Sequence, residues 1–119
     1  MTPVTLVLGS SGIQREKTIA NLVDPACPTV VLLEGFPDGK AVLENAGNSS
    51  TLKIIRVAAG CMCCTGNLVL KVTLNRILRD PPKQIFLSVA DASHIEKLHH
   101  FLTSPPYDKL LFLTKDCRT

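Results

Sequence analysis

Short aliphatic runs alternate along this chain with stretches whose apolar residues recur every three or four positions. Val4, Leu6, Val7 and Leu8 make the first run, stopped by Gly9-Ser10-Ser11-Gly12, and predict a strand over 4–8. Ile19, Leu22 and Val23 then share one side of a helix over 14–23, ended near Asp24-Pro25. A β-branched run over 29–33 is the second strand, closed by Gly35-Phe36-Pro37-Asp38-Gly39. Residues 40–45 suit a short helical turn before the polar loop 46–50, and 52–57 form a third strand. From 68 to 78, Leu70, Leu74, Ile77 and Leu78 trace a helical stripe that Asp80-Pro81-Pro82 ends. A fourth strand over 85–89, a helix over 93–102 and a fifth strand over 109–113 complete the pattern.

Strands that are apolar throughout and separated by helices belong in a parallel sheet covered on both faces. With right-handed crossovers, the expectation is a three-layer α/β sandwich on a mostly parallel sheet of about five strands. No repeat or linker interrupts the 119 residues, so one domain over 1–119 is expected. Ligands of open parallel sheets gather at the carboxyl ends of the strands. The loops at Gly9–Gly12 and around Cys61 both fall at such ends.

Composition narrows the function. The hydrophobic share of 45% and charged share of 19% fit a folded domain rather than a disordered one. The formal charge of +3 is mild, and the basic residues are scattered in sequence with no aromatic interleaving, which argues against nucleic acid. No apolar run approaches the roughly 20 residues that span a bilayer. The start, Met1-Thr2-Pro3, lacks the basic segment and cleavage site of a secretory signal. A reducing cytoplasm is therefore expected, where close cysteines bind metal or do redox work rather than form disulfides.

That expectation bears on Gly60-Cys61-Met62-Cys63-Cys64-Thr65. Cys61, Cys63 and Cys64 put three thiols within four residues, after a strand and before a helix whose N-terminus favours thiolate. Thiolates ligate Zn²⁺ or Cu(I), and three sulfurs are one short of a closed tetrahedral site. A fourth ligand from a side chain, a water or a second copy of the chain would complete the shell. Thiol redox sensing is the alternative chemistry for the same residues. Cys27 and Cys117 stand apart, as packing residues. His94, His99 and His100 show no i, i+4 spacing, and His99 and His100 are expected to face solvent.

The stretch from Leu52 to His94 resembles the GTPase domain of the CobW-like metallochaperones, P-loop proteins related to the nickel-insertion GTPases HypB and UreG. The resemblance rests on a strand followed by G-C-x-C-C-T and a glycine-containing approach to an amphipathic helix, here Gly60 to Asn67 and then 68–78. It implies a P-loop NTPase-like fold, Zn²⁺ or another divalent metal on Cys61, Cys63 and Cys64, a client metalloprotein, and metal delivery gated by GTP and Mg²⁺. Glu34, where the family often carries a first-switch carboxylate, and His94, matching a frequent family histidine, are the candidate fourth ligands.

The nucleotide elements depart from the family pattern. Gly9, Gly12, Lys17 and Thr18 are the residues left of a phosphate-binding loop, but Glu16 stands where its second glycine belongs and Ser11 where the first belongs. Ser88 takes the place of the acidic residue that would hold Mg²⁺, Asp91 that of the following glycine, and no guanine-reading N-K-x-D is present. The expected protein is thus a metallochaperone-like accessory that keeps the thiolate site and has lost hydrolysis. A weak nucleotide-binding GTPase is its nearest rival.

Overall fold

The computed structural model describes residues 2–9, 11–24, 26–34, 52–57, 68–89, 95–105 and 107–119. In chain order these form β1 (Thr2–Leu8), α1 (Gly12–Leu22), β2 (Thr29–Glu34), β3 (Leu52–Val57), α2 (Leu68–Ile77), β4 (Gln84–Val89) and α3 (Ile95–Thr103). A 3₁₀ turn (Tyr107–Lys109), β5 (Leu111–Leu113) and β6 (Cys117–Arg118) follow. The six strands make one sheet in the order β3-β2-β4-β1-β5, with β6 also on β1, and every pairing is parallel. The α/β sandwich expected from the alternating pattern is the observed architecture. The turn expected over 40–45 lies outside the described residues.

The sheet divides the apolar residues by strand alternation. Val4, Leu6 and Leu8 of β1 join Ile85, Leu87 and Val89 of β4 on one face, under Leu70, Leu74 and Ile77 of α2 and Leu98 and Leu102 of α3. Val7, Val31, Leu33 and Phe86 point to the other face, under Ile19 of α1. Each such side chain contributes about 1.5–3 kcal/mol on burial. Strands that are apolar on both faces are stable only between helices, which is why the sequence shows continuous runs there.

The element ends differ from the sequence expectation for local reasons. β1 begins at Thr2, because Thr2 N donates to Leu110 O at 3.0 Å. Pro3 is tolerated because the β1–β4 ladder starts after it, with Val4 opposite Ile85. α1 begins at Gly12 rather than 14: Ser11 is its N-cap and accepts from Gln14 N at 3.3 Å. β5 begins at Leu111 because the 3₁₀ turn takes up Tyr107 to Lys109. β6 continues the pairing past β5, with Val7 opposite Cys117 and Leu8 opposite Arg118. Between them Thr114 N donates to Val4 O at 2.9 Å, and the Thr5 and Thr114 hydroxyls meet at 2.7 Å.

Candidate functional site

The carboxyl ends of β1, β2, β3 and β4 lie along one edge of the sheet, as parallel pairing requires. At the seam between β1 and β4 the polar groups are turned inward. Arg15 and Glu16 are only 4% and 3% exposed although they sit in the first half of α1. The Arg15 Nε donates to Ser88 Oγ at 2.7 Å, and its Nη1 donates to the carbonyl of Gly9. Ser88 is itself buried. One guanidinium therefore bridges the end of β1 to the penultimate residue of β4. It supplies donors to a buried hydroxyl and to a half-buried carbonyl.

Glu16 points toward β3, where its Oε1 meets the Arg56 guanidinium at 3.4 Å. The pair joins α1 to the residue before the end of β3. Thr119 closes the seam from the far side: its N–H and hydroxyl both donate to Leu8 O, at 2.8 and 3.2 Å. A Cβ at Gly9 would overlap the Thr119 hydroxyl, so a larger residue here would make that side chain turn away.

The sequence-derived candidates distribute as follows. Gly9 directly follows β1, and Gly12 is the first residue of α1. Lys17 and Thr18 fall well inside α1, Lys17 exposed and Thr18 half-buried, rather than at its first turn. Glu34 is the last residue of β2 and stands opposite Val57 in the register. Cys61, Cys63, Cys64 and His94 lie outside the described residues. Among the described residues no group of three or more His, Cys, Asp or Glu side chains is placed to hold a metal. No described helix is long and apolar enough to cross a membrane.

One expectation is corrected. His99 does not simply face solvent: its Nε2 lies 3.0 Å from Asp116 Oδ2 and 3.3 Å from Oδ1, tying α3 to the segment between β5 and β6. His100 is exposed. Sequence reasoning also missed Arg15 and Arg56. A run such as Arg15-Glu16-Lys17 reads as a solvated helix face. The overlooked signal is that Arg15 and Glu16 lie four and three residues before buried Ile19, on the same side of the helix.

Compared with known proteins, the chain is similar to the zinc chaperone YeiR of Escherichia coli (strain K12), 27% identical over 113 residues. The match covers 91% of this chain but 34% of that protein, so the chain spans about a third of its relative's length. The comparison supports a CobW-like relationship. No family model matches the chain, and no solved structure matches it at a significant level.

Proposed function

We propose that this chain is a metal-binding accessory domain of the metallochaperone kind, in which Cys61, Cys63 and Cys64 carry zinc as thiolates. The observation behind this reading is the similarity to a zinc chaperone over 91% of the chain. It coincides with a sequence that holds three thiols in four residues shortly after β3. Soft thiolate donors suit Zn²⁺, and three of them leave one position for exchange with a client metalloprotein or a second copy of this chain. Residues 58–67 join the carboxyl end of β3 to the start of α2, and residues 90–94 join β4 to α3. Glu34, at the end of β2, and His94 are the fourth-ligand candidates.

The reading includes zinc binding without nucleotide control. Arg15 already holds Gly9 and Ser88 together, Lys17 points to solvent, and the Glu16 carboxylate lies inside against Arg56. A phosphate approaching this seam would have to displace those contacts. Metal analysis of protein purified without chelator, beside a Cys63→Ser/Cys64→Ser variant, tests the proposal. Stoichiometric zinc in the parent and none in the variant is expected. Absence of stoichiometric metal from both would sink it.

A further inference from the structure

We propose that the amino-terminal edge of the sheet carries a docking cleft for an acidic segment of a partner protein that bears an aliphatic side chain. A 380 Å³ cleft opens there between the starts of β2 and β3 and the end of α2. Val30, Ile55 and Ile77 give it an aliphatic wall, and prolines 28, 81 and 82 its rim. The rim is fixed by its own hydrogen bonds. Pro28 O accepts from Lys83 N at 2.8 Å and Gln84 N at 3.3 Å, and Pro82 O accepts from the Thr2 hydroxyl at 3.3 Å. A cleft held this way needs little ordering when a ligand enters.

The charges around it select the occupant. Lys53 and Arg76 line the cleft, and Arg79 and Lys83 stand exposed beside it, against the carboxylate of Asp80. None of these five forms an ion pair among the described residues. Positive charge in excess at a rim attracts carboxylates and steers their approach. None of the lining residues is aromatic, so bases find no stacking surface, and the aliphatic wall favours a protein side chain instead. Arg76, Arg79 and Lys83 are close in sequence, and the fold brings Lys53 of β3 to the same edge. The cleft runs from the prolines at the amino ends of the strands up to Ile55, two residues before the end of β3. The inference stands independently of the cysteine segment.

Fluorescence anisotropy with a dye-labelled nonapeptide of glutamates around two central leucines tests it on the 119-residue chain. Saturable binding is expected, weakened at least about tenfold by Arg76→Glu or Lys53→Glu and tightened by Asp80→Asn. Both cations are exposed, so neither substitution disturbs the core. Replacing the leucines by serine should weaken binding, and Lys97→Glu on α3 should leave it unchanged. The proposal is overturned by absence of saturable binding, by equal binding of the serine peptide, or by equal loss in Lys97→Glu. Tighter binding of labelled oligothymidine that Arg76→Glu abolishes would overturn it in favour of nucleic acid.

Discussion

At the carboxyl ends of β1 and β4, Arg15 and Glu16 lie inside the protein and bond to groups of the same chain. At the amino ends of β2 and β3, Lys53 and Arg76 line an open cleft and form no ion pair among the described residues. The difference is one of solvation. A buried ion must be matched by fixed partners because water is excluded, and those partners then hold structural elements together. An exposed ion keeps its water and contributes little to folding, yet stays free to meet an incoming opposite charge. The inner charges should therefore govern stability and the outer ones recognition.

Arg15→Ala is the strongest way to break the comparison. It leaves the Ser88 hydroxyl and the Gly9 carbonyl without their buried donor, and should cost about 3 kcal/mol. In urea the midpoint should fall with the slope unchanged. Glu16→Gln should cost less, about 1–2 kcal/mol, because Arg56 remains partly solvated. In a double-mutant cycle with Arg56→Met, a coupling near zero would contradict the pairing of α1 with β3.

A third probe is Tyr107, in the turn just before β5. Burial of Tyr107 raises its phenol above the usual value of 10.0, and its hydroxyl donates to Asn75 Oδ1 at 2.8 Å. The folded state thus favours the protonated ring. Its contribution is fully present below the unfolded pKa and is lost as pH rises through the higher folded value. Stability measured above pH 10 should fall in the parent, and by less in Tyr107→Phe. At neutral pH that variant should be about 1 kcal/mol less stable for loss of the hydrogen bond. Smaller still is the effect at the His99–Asp116 pair, whose two side chains are both partly exposed: Asp116→Asn should change stability by less than about 1 kcal/mol. Arg76→Glu should leave stability within about 0.5 kcal/mol of the parent while it alters recognition at the cleft.

How far the sequence was legible follows from the same physics. Continuous runs such as residues 29–33 and 85–89 are apolar because both faces of the sheet are covered, so β2 and β4 could be read directly. β6 could not, since a two-residue strand, Cys117 and Arg118, joins the sheet through backbone pairing to β1 and is too short to show an apolar run. The helix stripe of Leu70, Leu74 and Ile77 was plain, whereas the Ser11 cap moved the start of α1 two residues earlier. The proposed role of the cysteine run rests on its spacing, since Cys61, Cys63 and Cys64 lie outside the described residues. Arg15 was not, because its partners are Ser88, far along the chain, and a backbone carbonyl with no sequence mark. The cleft's stretch from Arg76 to Pro82 is continuous in sequence, but residues 28–30 and 53–55 come to it only through the fold.

The measurement that bears most directly on the central claim is a zinc competition titration of the parent chain with and without GTP and Mg²⁺. The account predicts stoichiometric zinc binding, abolished in the Cys63→Ser/Cys64→Ser variant and unchanged by nucleotide. A zinc affinity that shifts when GTP and Mg²⁺ are added, or zinc binding that survives the double substitution, would contradict it.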